Sequence, residues 1–144
     1  MSHGEKRESH VEKRELITTL SGYATFADCS RDDIEALVAA GGPFALPAGW
    51  PLVQEGIPAD ACYVLTSGDA RVFHQRQQIA ELGEGDLVGE MSLLDGGQRR
   101  ATVTTSSRTK GLRIDNAALH EVLTKHPKLD EAFKTVYTAH SGTA

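Results

Sequence analysis

The chain has 144 residues, of which 40% are hydrophobic and 24% are charged, a composition typical of one soluble globular domain with its own core. Its formal net charge of −5 argues against nucleic-acid binding, and no apolar run is long enough to cross a membrane. The charged N-terminus lacks the apolar segment of a signal peptide, so we expect a cytoplasmic protein.

The sequence offers no recognisable metal centre and no disulfide framework. Cys29 and Cys62 are the two cysteines, and both are expected to be buried small hydrophobic side chains. Six histidines are scattered along the chain without metal-ligand spacing or an HExxH motif, which favours solvated or structural roles. These histidines are His3, His10, His74, His120, His126 and His140.

The N-terminal region divides into two parts by pattern. Residues 1–15 mix both signs of charge, which is typical of a frayed tail or a solvated helix. The segment LITTL at 16–20 places its apolar side chains on one helical face and predicts a short helix that ends near Gly22. We therefore expect a charged tail or helix over 1–15, followed by a single domain over 16–144.

A helix is predicted over SRDDIEALVAAGG. Ser30 followed three residues later by Asp33 resembles a capping box, although the usual partner is Glu or Gln. Apolar residues then repeat at helical spacing, and Gly41 and Gly42 are expected to stop the helix.

Residues 43–114 have the pattern of an all-β region. Short segments of strand type, separated by glycine, proline and aspartate corners, are CYVLT, ARVFH, QIAEL, RATVTTSS and KGLRID. TSGDA at 66–70 predicts a tight hairpin because Gly68 can adopt the positive φ that such turns need. LGEGD at 82–86 marks another corner. We expect an antiparallel β-barrel, jelly-roll-like or cupin-like.

The last fifth of the chain, with helices over about 115–140, returns to helical periodicity. Asp115 is expected to cap NAALHEVLTKH, and Pro127 can open a second helix over PKLDEAFKTVYTAH, which carries an apolar stripe. That stripe can pack on its own barrel or on a second copy, which leaves a homodimer open. The predicted class is α+β: N-terminal helices, a barrel and two C-terminal helices.

The segment GDLVGEMSLLDGGQRRATV, residues 85–103, combines features of a nucleotide pocket. EMSLL can form a helical turn whose first amides bind an anion, and Arg99 or Arg100 can match a phosphate in a bidentate way. Glu90 can accept hydrogen bonds from sugar hydroxyls, and Gly89 permits close approach of the backbone. The alternative is a surface hairpin with solvated charges.

The ordered string Gly89-Glu90-Met91-Ser92-Leu93-Leu94, followed by Arg99 and Ala101-Thr102-Val103, resembles the phosphate-binding cassette of the cyclic nucleotide-binding domain family. This family includes the catabolite activator protein and the regulatory subunit of cyclic-AMP-dependent protein kinase. The resemblance extends over residues 20–137. Within them, LSGYATFADCSRDDIEAL is similar to the helical lead-in of the family and QEGIPADACYVLTSGDARV to its barrel hairpin.

The resemblance implies roles for individual residues. Glu90 would accept the ribose 2′-hydroxyl, Arg99 would bind the cyclic phosphate, and the Ser92 and Arg100 amides would assist. Gly89 would let the ribose sit close, and Met91 belongs to the same binding segment. The helix from Pro127 would cover the base. The implied wall residues near the ligand are Val72, Ile79, Ala80 and Leu82.

Arg100 departs from the family pattern, which usually has Ala, Ser or Thr at this position. Neighbours on extended chain point to opposite faces, so Arg99 can face the phosphate while Arg100 faces water, and a one-residue slip would exchange these roles. In the family, Thr or Ser here is associated with cyclic GMP. Its absence favours cyclic AMP as the ligand, with cyclic GMP as the other candidate.

These features predict a regulatory module that binds a cyclic nucleotide and signals by repositioning its C-terminal helices, with no cofactor or metal. Because the chain ends shortly after the lid helix, the effector is expected to be an unidentified partner protein or a missing effector domain. The alternative is a pseudo-sensor that binds no nucleotide and acts as an interaction scaffold. An enzyme such as a phosphodiesterase is disfavoured, because the sequence offers neither a metal cluster nor a base beside a nucleophile.

Overall fold

The computed structural model describes residues 2–57, 60–89 and 101–141, with side chains described from Glu12 to Ala139. The helices in these ranges are α1 (Ser2–Ser21), α2 (Arg31–Ala40), α3 (Asn116–Lys125) and α4 (Pro127–Ser141), with a 3-10 turn at Ala24–Phe26. α1 is one continuous helix that includes both the charged N-terminal segment and LITTL. No helix in the described ranges is both long and apolar enough to span a bilayer.

Eight strands lie between α2 and α3 in the described residues. They are β1 (Gly42–Leu46), β2 (Pro51–Val53), β3 (Ala61–Ser67), β4 (Ala70–His74), β5 (Gln77–Leu82), β6 (Leu87–Val88), β7 (Thr102–Thr105) and β8 (Thr109–Asp115). All five predicted strand segments coincide with strands. Strands β1, β2 and β6 were not predicted individually.

The strands form two antiparallel sheets of four strands each. Sheet 1 has the order β1-β8-β3-β6 and sheet 2 the order β2-β7-β4-β5. This is the strand order of an eight-stranded jelly roll built from two Greek keys. The predicted α+β class and jelly-roll-like fold are confirmed, although the two sheets of the described chain do not close into a barrel.

Alternation along the strands of sheet 1 separates two buried clusters. In β3, Cys62 and Val64 face the helices, whereas Tyr63 and Leu65 face sheet 2. The helical-layer cluster includes Leu20, Phe26, Ile34, Leu37, Leu119, Leu129 and Phe133. The between-sheet cluster includes Leu52, Val53, Leu65, Ala70, Val88 and Val103. The helices therefore pack on one face of sheet 1, and sheet 2 covers the other.

Local chemistry sets the ends of α2 as predicted. Asp33 N donates to Ser30 Oγ at 3.1 Å, and Ser30 N donates to Asp33 Oδ2 at 2.9 Å, which completes the capping box. α2 ends at Ala40, and Gly41 is extended, with a φ of −127°. A Cβ on Gly41 would lie 2.8 Å from Ile114 Cγ1, so the glycine permits close packing on β8.

The prediction that the Asp115 side chain caps α3 is wrong. Asp115 stands at the N-cap position of α3, but its side chain makes no capping hydrogen bond. Its Oδ1 instead accepts from Arg113 Nη1 at 2.6 Å. The guanidinium therefore engages the carboxylate that was expected to cap the helix.

Candidate functional site

The ten predicted ligand residues fall into two groups. Glu90, Met91, Ser92, Arg99 and Arg100 lie outside the described residues. Gly89, Val72, Ile79, Ala80 and Leu82 are described. The structure therefore describes the four predicted wall residues and Gly89, the first residue of the predicted binding segment. It also describes Thr102, where the chain enters sheet 2 after that segment.

The binding segment leaves sheet 1 at Gly89. Tyr63 and Val64 of β3 pair with Val88 and Leu87 of β6, so Gly89 follows directly on a paired strand. Its φ of +91° lies in the left-handed region, which glycine adopts without the steric cost borne by other residues. Gly89 was predicted to let the sugar approach the backbone. Its positive φ is a second reason for glycine at this position.

The chain re-enters sheet 2 at Thr102, the first residue of β7. Thr102 pairs with Phe73 of β4, and its Oγ1 accepts a hydrogen bond from Glu55 N at 3.0 Å. Glu55 Oε1 in turn lies 3.0 Å from His74 Nδ1 and accepts from Gln75 N at 3.3 Å. The segment between Gly89 and Thr102 thus connects an edge strand of one sheet to the other sheet.

Three of the four wall residues share one face of sheet 2. Val72 pairs with Ala80, and Ala70 pairs with Leu82. Paired residues, and residues two apart on a strand, lie on the same side of a sheet, so Val72, Ala80 and Leu82 share a face with Ala70. Val72 and Leu82 are half-buried against the between-sheet cluster, and Ala80 is exposed. This face is therefore the one directed toward sheet 1.

Ile79 lies at an irregularity in the β4–β5 pairing. Val72 pairs with Ala80 and Phe73 pairs with Gln78, so Ile79 is an extra residue on β5. An extra residue of this kind bends the strand and redirects its side chain. The Ile79 side chain is 48% exposed.

A corner between β5 and β6 links the helices to the strand that precedes the binding segment. Gly85 has a φ of +89°. A Cβ at this position would lie 3.6 Å from the ring of Tyr23. Tyr23 Oη donates to Glu84 Oε1 at 3.2 Å. Burial, followed by the charge of Glu84 and this hydrogen bond, raises the pKa of Tyr23 to about 12. Sequence reasoning missed this contact.

A second missed residue is Arg113, the cross-strand partner of Tyr63 in sheet 1. Its pKa is raised, first through a hydrogen bond with Tyr63 and also through Asp115. Its guanidinium lies 2.6 Å from Asp115 Oδ1 and 4.0 Å from Asp60 Oδ2. The charge of Arg113 is thus matched by the carboxylates of Asp115 and Asp60.

The histidine and cysteine side chains in the described residues can be placed individually. No group of three or more His, Cys, Asp or Glu side chains there could hold a metal ion. His126 contacts Asp33, and His74 contacts Glu55. Cys62 is fully buried, as predicted. Cys29 is only half-buried, and its thiol pKa is raised, first by burial and then by Asp33.

Comparison with known proteins places this geometry in a family. The family model of the cyclic nucleotide-binding domain matches residues 43–126. The cAMP-dependent protein kinase regulatory subunit of Aspergillus fumigatus is 34% identical over 120 residues, which are 81% of this chain and 26% of that protein. The chain spans less than half the length of the curated relatives that it matches.

Solved structures share the fold. The catabolite activator protein of Thermus thermophilus superposes with a TM-score of 0.73 at 25% identity, covering 81% of this chain and 57% of that chain. The regulatory domain of Toxoplasma gondii PKA with cAMP superposes with a TM-score of 0.79 at 14% identity, covering 90% of this chain and 50% of that chain. At this identity the similarity is one of fold alone. Since the family model matches more than half of the residues, the chain belongs to the cyclic nucleotide-binding domain family.

Proposed function

We propose that the chain is a regulatory module that binds cyclic AMP and signals by repositioning α3 and α4. The observation that carries this proposal is the family match over residues 43–126. That range contains the whole binding segment and all four wall residues. The proposed role is therefore binding rather than catalysis.

Three kinds of protein group are proposed to contact the phosphate, the ribose and the base of the ligand. Arg99 binds the cyclic phosphate as a bidentate guanidinium, helped by the Ser92 and Arg100 amides. Glu90 accepts the ribose 2′-hydroxyl, and Gly89 lets the sugar approach the backbone. The segment also contains Met91, and the apolar wall is formed by Val72, Ile79, Ala80 and Leu82.

The described geometry supports a pocket between the sheets. The binding segment starts at Gly89 on sheet 1 and ends at Thr102 on sheet 2. Val72, Ala80 and Leu82 lie on the face of sheet 2 that is directed toward sheet 1. A ligand held by this segment would therefore place its base against an apolar face.

Cyclic AMP is proposed rather than cyclic GMP on two grounds. Arg100 occupies the position where the family's cyclic GMP binders carry Thr or Ser. The matched relative is named a cAMP-dependent kinase regulatory subunit, and the Toxoplasma neighbour was solved with cAMP.

The proposed signal is a change in the preferred position of the C-terminal helices. A ligand shifts such an equilibrium only by its difference in affinity for the two arrangements. The receiver of the signal is proposed to be a partner protein or an effector domain joined to this one, and a second copy of the chain is one candidate partner.

The test compares Arg99→Ala with its matched neighbour Arg100→Ala in cyclic AMP binding. Loss of Arg99 leaves a buried phosphate without its charge-assisted partner, at a cost of about 2–5 kcal/mol. Loss of Arg100 should change affinity little, because its side chain is proposed to face water. The reverse result would show that the register is shifted by one residue. Absence of binding in the unsubstituted protein would favour the interaction scaffold.

A further inference from the structure

A partly buried contact between a carboxylate and an imidazole joins α2 to the junction between α3 and α4. Asp33 Oδ1 and His126 Nδ1 are 2.8 Å apart, and their side chains are 14% and 25% exposed. The pKa of Asp33 is lowered, first by the hydrogen bond from Ser30 N and further by His126. Asp33 is therefore an anion at neutral pH and a suitable partner for an imidazolium.

His126 is the residue at which α3 ends and α4 begins. Its backbone N donates to Val122 O at 3.0 Å, in the last turn of α3. Its carbonyl accepts from Leu129 N at 3.0 Å and from Asp130 N at 3.1 Å, in the first turn of α4. The contact with Asp33 thus fixes the start of α4 relative to α2.

The other charged side chains around this junction mostly pair with one another. These pairs are Lys125–Glu121 at 3.0 Å, Lys128–Glu131 at 3.5 Å, Lys134–Asp130 at 2.9 Å and Arg31–Glu35 at 2.8 Å. The further titratable residues of these elements are Asp32 on α2, Asp28 and Cys29 before it, His120 on α3, and Tyr137 and His140 on α4. Burial and nearby carboxylates raise the pKa of Cys29, which keeps its thiol neutral. Asp33 is therefore the charge in direct contact with His126.

α4 packs in the helical layer, away from the proposed ligand wall. Leu129, Ala132 and Phe133 are buried in the helical-layer cluster, and the Phe133 ring centroid lies 6.4 Å from that of Phe26. The wall lies on sheet 2, whereas the helices cover the opposite face of sheet 1. The proposed repositioning of α4 toward the ligand would therefore change the contacts between its first turn and α2.

We propose that the Asp33–His126 contact is a latch that holds the start of α4 against α2 and opposes ligand-driven repositioning. This inference rests on the proposed function. A hydrogen bond to a partly buried carboxylate stabilises the arrangement that contains it. A ligand that favours another position of α4 must offset this stabilisation, so loss of the contact should raise cyclic AMP affinity.

The first experiment measures the cyclic AMP affinity of the full chain and of His126→Gln. His126→Gln should bind about fivefold more tightly than the unsubstituted protein, the low end of typical coupling strengths. Ser30→Ala, which removes the capping hydroxyl but keeps Asp33 and His126, should bind like the unsubstituted protein. Equal affinities of His126→Gln and the unsubstituted protein would overturn the latch.

A second experiment needs no ligand and separates the latch from the proposed function. Asp33→Asn keeps an oxygen that can accept from Ser30 N but removes the charge. Amide hydrogen exchange in α4 should be faster in Asp33→Asn and in His126→Gln than in the unsubstituted protein and in Ser30→Ala. Equal protection of α4 in all four proteins would contradict the latch. Failure to bind cyclic AMP, with the exchange difference intact, would contradict only the proposed function.

Discussion

Val72 and Ala80 are cross-strand partners on β4 and β5, and both lie on the face of sheet 2 that is directed toward sheet 1. Val72 is half-buried, whereas Ala80 is exposed despite its position on the inner face. A side chain enlarged at Ala80 would therefore project into the proposed ligand space without displacing a packed core residue.

Ala80→Tyr should weaken cyclic AMP binding while leaving the stability of the ligand-free protein nearly unchanged. The expected loss is about 1–3 kcal/mol of binding free energy, the range for overpacking a fitted site. Glu81→Tyr is the matched control, because it adds the same ring on the opposite face of β5. Binding titrations and thermal unfolding of both variants provide the measurement. Equal affinities of the two variants would remove Ala80 from the wall.

Thr105→Val should destabilise the fold. Thr105 is 2% exposed, and its Oγ1 accepts from Trp50 N at 2.8 Å and donates to Pro47 O at 2.7 Å. Valine keeps the shape but leaves both backbone groups without this partner, a loss of about 1–3 kcal/mol of unfolding free energy. Urea unfolding followed by the emission of Trp50, the one tryptophan in the chain, measures it. Unchanged stability would indicate that other groups form hydrogen bonds with Trp50 N and Pro47 O.

Gly111→Ala should destabilise sheet 1, because a Cβ there would overlap the Val64 carbonyl oxygen and lie 3.1 Å from the Phe44 ring. Gly111 pairs with Phe44 on one side and Leu65 on the other, so neither neighbouring strand can yield easily. The expected cost is about 1–3 kcal/mol or more. Gly42→Ala is the control, since a Cβ there meets nothing within 4 Å. Similar unfolding free energies for the two variants would be inconsistent with the packing described.

Asp69→Ala should remove stability that depends on pH. Asp69 Oδ1 accepts from Ser107 Oγ and from Ser106 Oγ, and these bonds lower its pKa. A lowered pKa in the folded state contributes stability above the unfolded value of about 3.9, and this contribution is lost as the pH falls through the folded pKa. The difference in unfolding free energy between the variant and the unsubstituted protein should therefore narrow below about pH 3.9. A difference independent of pH would assign the effect to packing alone.

Tyr23 should ionise late in an alkaline spectrophotometric titration. Its pKa is raised to about 12 by burial and Glu84. The protonated phenol is favoured by folding, so its contribution to stability is complete below the ordinary tyrosine pKa of about 10 and is lost as the pH rises toward 12. Tyr23→Phe should remove an absorbance step near pH 12. Loss of an early step instead would contradict the Glu84 contact.

Local chemistry accounts for the parts of the fold that sequence reasoning predicted. The Ser30–Asp33 capping box depends on residues three apart, and Gly68, with a φ of +85°, is required by one turn. The predicted strands lie in segments of five or more residues with β-type composition, such as CYVLT and ARVFH. β6 has two residues and β2 has three, which is too short for such a pattern.

Contacts between distant residues account for most of what the sequence did not reveal. Tyr23 and Glu84 are 61 residues apart, and Asp33 and His126 are 93 apart, so no spacing rule connects them. Asp115 was expected to cap α3 because its own position suits a cap, but Arg113 competes for the carboxylate. The extra residue at Ile79 depends on the register between β4 and β5, which composition does not encode. For the binding segment itself, the residue roles remain predictions.

The most direct test of the central claim is isothermal titration calorimetry of the full chain with cyclic AMP, after denaturing a sample to check for nucleotide carried through purification. The account predicts saturable one-to-one binding, tighter than the binding of cyclic GMP in a parallel titration and lost in Arg99→Ala. Absence of heat and of thermal stabilisation at millimolar cyclic AMP, in protein free of carried nucleotide, would contradict it.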